Sequence, residues 1–333
     1  SCIEKIINID IKTKIKDIEF LTKEEIKLYN ELDNLSADYD KEVLVTDIFD
    51  RIVRKYPNKV AVVYEEKEIT YNELDKKSNI IANYISKKGI INQTIGILSE
   101  KNIECVEIIL GIIKSGNAYV PINITYPNER INYIINDLQT NMIITSSSLI
   151  GELELEIENL VAVEDVFDCE NNTTSLNNIK RTQNDPLYII YTSGTTGKPK
   201  GAIITHRNLV RLLFNSKFEF DFTESDTWTM FHSYCFDFSV WEMYGALLYG
   251  GKLILVNDFV ARDPREYMNL LKKEKVTILN QTPSYFYKLL EEIKSSSEML
   301  ELRYVIFGGE ALDIMKTKPF YEQYKNTKII NMY

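Results

Sequence analysis

The segment that decides the fold runs from Thr94 to Asn123 and reads TIGILSEKNIECVEIILGIIKSGNAYVPIN. Two short apolar runs in it, TIGILS and AYVPIN, have the length and composition of buried strands. The run between them, IECVEIILGIIKSG, is long enough for a helix, and the connections on both sides are short. A strand, a helix and a second strand in this order predict a layer of parallel α/β structure.

The same alternation extends in both directions along the chain. VAVVYE is a predicted strand, and Thr70 and Glu73 have the spacing of a capping box that opens a helix ending at Gly89. A helix over ERINYIINDLQ and a strand over MIITS follow the deciding segment, and strands and helices alternate again from LYIIYT as far as KIINMY. We therefore predict an α/β fold with doubly wound parallel sheets.

Three regions are predicted along the chain. The polar stretch from Cys169 to Asp185, CENNTTSLNNIKRTQND, has few apolar positions and separates a first α/β subdomain at residues 45–185 from a second at 186–333. Residues 1–44 are charged, and Thr22 and Glu25 again have capping-box spacing, so this segment is predicted to be a linker with one helix. The chain ends in a predicted strand, which we expect of an incomplete domain.

Composition narrows the classes of function. The 333 residues carry a formal net charge of -10, and no long basic run offsets it, which argues against a general role on nucleic acids or membrane surfaces. Four cysteines and two histidines lie at spacings that match no metal site, so no metal ligands are expected among them. Because neither a signal peptide nor a run of membrane-spanning length is present, the expected location is cytoplasmic.

A glycine-rich loop, YIIYTSGTTGKPKG from Tyr188 to Gly201, joins two predicted strands. Its glycines let the backbone approach a ligand, and its hydroxyl groups and lysines suit phosphate oxygens. A P-loop is excluded, because only two residues separate Gly194 from Gly197 and Pro199 follows the first lysine where Ser or Thr is needed. Composition alone leaves two alternatives, a phosphate-binding loop and a plain hairpin turn.

The order of residues in TSGTTGKPKG resembles the phosphate-binding loop of the adenylate-forming superfamily, which includes acyl-CoA synthetases, luciferases and the adenylation domains of nonribosomal peptide synthetases. Further blocks resemble the peptide-synthetase branch in the same order: ITYNELDKKSNIIANYI, GIIKSGNAYVPINITYPNERINYIINDLQ, FDFSVWEMYGALLYGGKLILV, FGGEAL and NMY. The resemblance covers almost all of residues 45–333. It implies the large N-terminal domain of that family, with two doubly wound α/β subdomains and an incomplete small β-barrel part, and it makes residues 1–44 similar to the linker after a condensation domain.

The sequence departs from the family pattern at two places. Asn123 stands where the family usually has Asp, a change of little expected consequence. The motif that begins NMY is cut after Tyr333, so the glutamate that helps to hold Mg²⁺ and the small C-terminal domain with its catalytic lysine lie outside the sequence. We therefore expect a truncated chain that is incomplete as a catalyst.

The resemblance implies a reaction between two anions, an amino-acid carboxylate and the α-phosphate of ATP. It yields an aminoacyl adenylate and pyrophosphate, and the aminoacyl group then passes to the phosphopantetheine thiol of a carrier protein. Positioned cations and donors should matter more than a general base, because the nucleophile is already deprotonated. The implied catalytic residues are Thr192, Lys200 and His232. The implied ATP-binding residues are Thr192, Ser193, Gly194, Thr195, Thr196, Gly197, Lys200, Gly309, Glu310, Asn331, Met332 and Tyr333.

The blocks FGGEAL and NMY are expected on the adenine side of the nucleotide. Gly308 and Gly309 would leave a flat backbone slot, Asn331 would bond to the base edge, and Tyr333 would stack on the ring. The alternative for the two glycines is a turn at the end of a strand.

The family's amino-acid pocket corresponds here to seven positions. Asp237 would pair with the α-ammonium group of the substrate, and Asn280 would offer a donor and an acceptor to a hydroxyl group. This combination resembles the threonine pocket of the family and favours threonine over valine. The implied pocket residues are Asp237, Phe238, Trp241, Asn280, Ile306, Gly308 and Met332.

Several of these residues have a structural alternative. Asp237 could cap the helix that follows it, although Ser239 could supply that cap. Asn280 could be a turn residue before Pro283, and His232 could be a hydrogen-bonded core residue. For the chain as a whole, an acyl- or aryl-CoA ligase of the same superfamily and a catalytically silent nucleotide-binding fragment remain alternatives.

Overall fold

The computed structural model describes residue 14 and residues 21–33, 37–151, 155, 157–168, 181–192 and 199–332. The helices are α1 (Lys23–Asp33), α2 (Val45–Lys55), α3 (Tyr71–Lys87), α4 (Ile103–Lys114), α5 (Asn128–Leu138), α6 (Ser147–Ile150), α7 (Val163–Asp168), α8 (His206–Leu213), α9 (Asp237–Leu247), α10 (Asp258–Arg262), α11 (Pro264–Lys273), α12 (Pro283–Ser295) and α13 (Ile314–Gln323). The strands are β1 (Val60–Tyr64), β2 (Lys67–Thr70), β3 (Thr94–Leu98), β4 (Ala118–Ile122), β5 (Met142–Thr145), β6 (Asn159–Ala162), β7 (Pro186–Thr192), β8 (Lys200–Thr205), β9 (Thr227–Met230), β10 (Lys252–Leu255), β11 (Ile278–Gln281), β12 (Tyr304–Phe307) and β13 (Lys328–Asn331).

Within the described residues the strands form two sheets. One has seven strands in the order β13-β12-β11-β9-β10-β1-β2, and the other has six in the order β6-β5-β3-β4-β7-β8. Neighbouring strands are parallel except at one edge of each sheet, where β2 and β8 are antiparallel. The predicted mixed α/β fold with two parallel sheets is confirmed. The described residues form no third sheet, so the expected β-barrel part is not found among them.

The two sheets do not divide at residue 185, where the sequence predicted the subdomain boundary. Strand β1 of the first half pairs with β10, with Val62 opposite Leu253, and so belongs to the sheet of the second half. Strand β7 of the second half pairs with β4, with Tyr119 opposite Tyr188. Chain order shows where a strand lies in the sequence, but backbone pairing decides which sheet it joins. Residues 169–180 of the polar stretch lie outside the described residues.

Helix α3 begins and ends where the sequence predicted. The Thr70 side chain accepts from the backbone of Glu73, while the Glu73 carboxylate accepts from the Thr70 backbone at 2.9 Å. Gly89, just past the helix, has φ +71°, which a residue with a side chain adopts at a cost. The same reciprocal bonds join Thr22 and Glu25 at the start of α1, so both capping boxes are confirmed.

The deciding segment lies in the core. Strands β3 and β4 pair over their whole length, and helix α4 between them is buried along nearly all of its residues. Gly111 permits close packing of α4 on α3, because a Cβ there would lie 2.6 Å from two side-chain carbons of Ile81. This layer gives the six-stranded sheet a rigid base for the β7–β8 hairpin at its edge.

A buried histidine anchors the chain just before α2. His206, the first residue of α8, accepts a hydrogen bond at Nδ1 from the backbone of Val45 at 3.3 Å. Gln183 supports the same segment by donating from Nε2 to the carbonyl oxygens of Asp40 and Val43. Burial, and secondarily the Arg181 guanidinium, lower the pKa of His206 to about 4. The imidazole therefore stays neutral in the folded protein over most of the range in which a free histidine titrates.

We expect His206→Gln to reduce the loss of stability on acidification. An unfolded histidine takes up its proton near pH 6.5, whereas the folded one does so only near pH 4, so this group's contribution is lost as the pH falls between these values. The wild type should lose about 2–3 kcal/mol more than the variant between pH 7 and pH 4.5. Urea denaturation at both pH values measures the difference, and Arg207→Gln, at the exposed next position, is the matched control. Equal pH dependence in the wild type and His206→Gln would contradict the assignment.

Candidate functional site

Three neighbouring parallel strands end at one side of the seven-stranded sheet. Asn280 near the end of β11 lies opposite Ile306 of β12, and Phe307 lies opposite Asn331 of β13. The backbone of Met332 donates to the Phe307 carbonyl oxygen at 2.8 Å, which extends this pairing by one residue. Open α/β sheets bind ligands beyond the carboxyl ends of their strands. The blocks predicted for adenine and for the amino acid therefore meet at a suitable place.

The loop after β12 carries the predicted adenine slot. Gly308 is buried, while Gly309 is exposed and has φ +81°; a Cβ there would lie 3.5 Å from the Phe236 ring. The Glu310 carboxylate accepts from the backbone and the hydroxyl of Ser284, both at 2.9 Å, and so ties the loop to the first turn of α12. Tyr333, the predicted stacking residue, lies outside the described residues.

The glycine-rich loop connects β7 to β8, which pair as an antiparallel hairpin. Thr192 and Lys200 form the last pair of this antiparallel hairpin, and both side chains are exposed. The prediction that the loop joins two strands is confirmed. Residues 193–198 lie outside the described residues, so the phosphate-binding roles of Ser193, Gly194, Thr195, Thr196 and Gly197 stay predictions.

Helix α9 places Asp237 in its first turn, with Phe236 as the N-cap residue. The proposal that Ser239 caps this helix is wrong. Its hydroxyl donates to the Phe236 carbonyl oxygen at 2.7 Å, whereas a cap must accept from a backbone N–H group. No side-chain cap bond is present at Phe236. The exposed Asp237 carboxylate thus stands where the partial positive charge of the helix N-terminus favours an anion.

A cavity of about 280 Å³ lies between the β7–β8 hairpin, α8, α9 and the end of β13. Most of its lining is apolar, and Asp237 provides the carboxylate. Four of the seven predicted pocket residues are on its wall. The lining residues are Tyr188, Ile204, Asn208, Leu209, Arg211, Leu212, Asp237, Phe238, Val240, Trp241 and Met332.

The sequence prediction missed the wall formed by β7 and α8. Tyr188 is buried, and burial followed by the nearby Asp237 carboxylate raises the pKa of its phenol well above the usual value. Asn208 and Arg211 reach the cavity from one face of α8, three residues apart. Tyr188 belongs to the glycine-rich block and lies in β7, the strand that leads into the loop, which was the available signal. Arg211 and Asn208 gave none, because an amphipathic helix normally carries polar residues on its outer face.

Asn280, Ile306 and Gly308 do not lie on the described cavity wall, contrary to the prediction. Asn280 and Ile306 are fully buried in the sheet, and Asn280 stands behind Trp241. The Trp241 indole donates to Asn280 Oδ1 at 3.0 Å. Asn280 Nδ2 is buried and has no hydrogen-bond partner among the described residues. The Asn280 amide thus contacts a cavity-lining ring without lining the cavity itself.

His232 is buried beside Phe238, which lines the cavity. Its Nδ1 lies 2.9 Å from Glu242 Oε1, and its backbone donates to Glu242 Oε2 at 3.2 Å. The imidazole packs against Phe236 and Phe238, with ring centroids 5.5 and 4.9 Å away. His232 is therefore a hydrogen-bonded core residue, as the structural alternative held, and it also adjoins a cavity-lining side chain.

Two further classes of site are not found in the described ranges. No group of three or more His, Cys, Asp or Glu side chains there is placed to hold a metal ion. No helix in those ranges combines the length and apolar character needed to cross a membrane.

The two parallel sheets, the glycine-rich hairpin and the small cavity with a carboxylate at a helix N-terminus define a domain of the adenylate-forming type. Residues 49–333 match the family described as AMP-binding enzyme, and the chain belongs to this family.

Relatives of known name are peptide synthases. The chain is 40% identical over 330 residues to a plipastatin synthase from Bacillus subtilis (strain 168), and the match covers 98% of the chain but 13% of that protein. It is 39% identical to the dimodular nonribosomal peptide synthase of the same organism, with 86% and 13% covered. For syringomycin synthase SyrB1 of Pseudomonas syringae pv. syringae the identity is 34%, with 90% and 49% covered. The chain thus corresponds to one part of each relative.

Solved structures share the fold. The nonribosomal peptide synthetase FmoA3 (S1046A) superimposes with a TM-score of 0.85 at 23% identity, over 99% of this chain and 35% of that one. Its AMPPNP-bound form gives the same TM-score at 24% identity, over 99% and 36%. At this level of identity the likeness shows the architecture alone.

Proposed function

We propose that the chain is the amino-acid-activating part of a nonribosomal peptide synthase, and that it uses ATP to convert L-threonine to threonyl adenylate with release of pyrophosphate. The observation that carries the proposal is the cavity of about 280 Å³ with Asp237 on an otherwise mostly apolar wall. This volume is just below the roughly 300–1,000 Å³ typical of ligand pockets, as expected for a small substrate. Synthases among the relatives support the same class of reaction.

Asp237 supports an amino acid rather than a simple carboxylic acid. A carboxylate beside buried aromatic surface is stabilised by an ammonium group, which forms charge-assisted hydrogen bonds with it. An acid that lacks the amine would cover the same carboxylate without forming these bonds, at a desolvation cost. The second alternative, a ligase for acyl or aryl acids, is therefore disfavoured by this side chain.

The Trp241–Asn280 pair supports a substrate with a side-chain oxygen. An indole N–H group can only donate, so the oxygen of the amide must face Trp241, which leaves Nδ2 as the remaining polar group. Sequence reasoning gave Asn280 both a donor and an acceptor for the substrate, and Trp241 already occupies one of the two lone pairs of the amide oxygen. The proposal requires the substrate hydroxyl to reach Nδ2 past the Trp241 ring, because Asn280 itself is not on the cavity wall. A buried unpaired donor costs about 1–3 kcal/mol, which the hydroxyl oxygen of threonine would then offset and valine would not.

The nucleotide would lie along the strand ends next to this cavity. We assign the phosphates to the β7–β8 hairpin, where Lys200 supplies a positive charge, and the adenine to Gly309 and Asn331. Mg²⁺ would arrive with ATP and neutralise phosphate charge. Residues of this chain would hold the two anions in line, which is the main requirement of the reaction.

The proposed partners are an upstream condensation domain and a carrier protein, whose phosphopantetheine thiol would receive the threonyl group. This follows from the relatives, which are much longer synthases. A cytoplasmic location accords with such partners.

Amino-acid-dependent exchange of labelled pyrophosphate into ATP tests the proposal. The purified protein should give exchange with L-threonine at least 10-fold above that with L-valine, and none with 3-hydroxybutyrate, which lacks the amine. Activity with 3-hydroxybutyrate would favour the CoA-ligase alternative, and exchange with another amino acid alone would remove threonine. Calorimetric binding of ATP and threonine without exchange would favour the silent fragment.

A further inference from the structure

A buried carboxylate holds His232 in one defined protonation pattern. We propose that Glu242 is a positioning residue that keeps the proton of the neutral imidazole on Nδ1. Nε2 then gains a proton only when an anionic ligand enters, and it donates a hydrogen bond to an oxygen of that ligand. The identity of that ligand, a phosphate of the nucleotide or the substrate carboxylate, rests on the proposed function. The protonation pattern itself does not.

Each carboxylate oxygen of Glu242 contacts one nitrogen of His232. Oε2 accepts from the His232 backbone N–H group at 3.2 Å, and Oε1 lies 2.9 Å from Nδ1. An ionised carboxylate has no proton to donate, so Nδ1 must carry one for this contact to be a hydrogen bond. Glu242 is completely buried, which makes this partner hard to replace with water. In the neutral imidazole, Nε2 is consequently left with a lone pair.

Nε2 is the ring nitrogen of His232 that does not contact Glu242. It is buried and has no hydrogen-bond partner among the described residues. The ring stands between two aromatic side chains of the site: Phe238 lines the amino-acid cavity, and Phe236 lies beside Gly309 at the predicted adenine slot. His232 is therefore placed near the boundary between the two expected substrates, where the carboxylate and the α-phosphate have to meet.

The charges around the pair favour a proton on Nε2 once an anion arrives. Glu242 supplies a negative charge from α9, and Lys101, which follows β3, supplies a positive one, donating to the Phe231 carbonyl oxygen at 2.8 Å. Burial lowers the pKa of Lys101, and the Glu242 carboxylate opposes that change, so the two side chains are electrostatically coupled. An oxyanion added beside the ring would favour a proton on Nε2, because a nearby negative charge stabilises the charged imidazole.

Protonation of Nε2 would convert a repulsive contact with the ligand oxygen into an attractive one. A lone pair on Nε2 repels an approaching phosphate or carboxylate oxygen, whereas the doubly protonated ring donates a charge-assisted hydrogen bond to it. Glu242 makes this possible because Nδ1 stays protonated in both states, so a single proton from solvent completes the change. No proton has to leave the site when the ligand binds.

Histidine nitrogen NMR tests the proposal directly, because the chain has only two histidines. In protein labelled with ¹⁵N at histidine, His232 should show a protonated Nδ1 and a bare Nε2 near neutral pH. Both nitrogens should be protonated after AMPPNP is added if the ligand is a phosphate, and only after threonine is added as well if the ligand is the substrate carboxylate. His206→Gln identifies which signals belong to His232. Glu242→Gln should switch His232 to the Nε2–H form, since the amide oxygen must serve the backbone N–H group and the amide NH₂ then faces Nδ1.

Glu107→Gln is the matched control, a buried carboxylate on α4 that pairs with Lys77, and it should leave the His232 signals unchanged. An Nε2–H form in the wild type, or an Nδ1–H form retained in Glu242→Gln, would overturn the positioning role. If calorimetry shows that both AMPPNP and threonine bind while Nε2 stays bare, the oxyanion contact is wrong. If AMPPNP does not bind at all, the proposed function fails, and the unliganded spectra still decide the role of Glu242. In pyrophosphate exchange we expect Glu242→Gln to lower kcat by roughly 10-fold with little change in the KM for threonine.

Discussion

Asp237→Asn is expected to lower kcat/KM for threonine in pyrophosphate exchange by roughly 100-fold. A hydrogen bond to a charged group contributes about 1.5–3 kcal/mol, and the amide keeps the size of the side chain while removing its charge. The carboxylate stands in the first turn of α9 on the wall of the cavity, and its charge is felt by the buried phenol of Tyr188. Under the proposed function, the interaction that the substitution removes is the pairing with the substrate ammonium group.

Asp258→Asn is the matched control for this experiment. Asp258 is also an exposed aspartate in the first turn of a helix, α10, but it lies outside the cavity lining. Both substitutions remove a favourable charge at a helix N-terminus and should change thermal stability by similar small amounts. Kinetics should differ sharply, with Asp258→Asn close to wild type. Equal losses of activity, or an Asp237→Asn enzyme that still requires the amine of its substrate, would show that Asp237 does not bind the ammonium group.

Local sequence signals predicted the elements of this fold well, because they reside in a few neighbouring residues. The Thr70–Glu73 capping box and the positive φ of Gly89 are properties of one turn of chain, and both are found as predicted. Pro199 after the first lysine of the glycine-rich loop likewise excluded a P-loop from sequence alone. Neither signal depends on what packs against it.

Sheet membership could not be predicted in the same way. Strands β1 and β7 look alike in sequence, short and apolar, yet each joins the sheet of the other half of the chain. That choice is made by the edge that is available for backbone pairing and by the helices that cover it, and both are non-local. The expected boundary at residue 185 therefore described the order of elements and not their assembly.

The side-chain contacts within the site could not be predicted from the sequence either. Resemblance named Asp237, Phe238, Trp241 and Met332, and all four line one cavity. It could not show that Ser239 donates where a cap must accept, because hydroxyl groups do both. It also could not show that the Asn280 oxygen is taken by Trp241, since the two residues lie 39 positions apart.

The Trp241–Asn280 pair leads to the second large effect. Asn280→Leu is expected to lower kcat/KM for threonine by roughly 100-fold and to leave valine within a few-fold, so that discrimination between the two nearly disappears. The reason is that a site with a buried donor rejects a substrate that lacks an acceptor far more strongly than an apolar pocket can. Pyrophosphate exchange with the two amino acids measures the ratio.

A loss of structure could imitate this result, and a paired substitution separates the two. Asn280→Leu leaves the Trp241 indole buried without an acceptor, which should cost about 1–3 kcal/mol of stability. Adding Trp241→Phe removes that orphaned donor, so the double variant should recover most of the stability in thermal denaturation but none of the discrimination. Trp241→Phe alone keeps the Asn280 donor and should retain a clear preference for threonine. Discrimination that returns together with stability would mean that Asn280 only supports Trp241, and recognition of the hydroxyl would then have to come from the cavity wall itself.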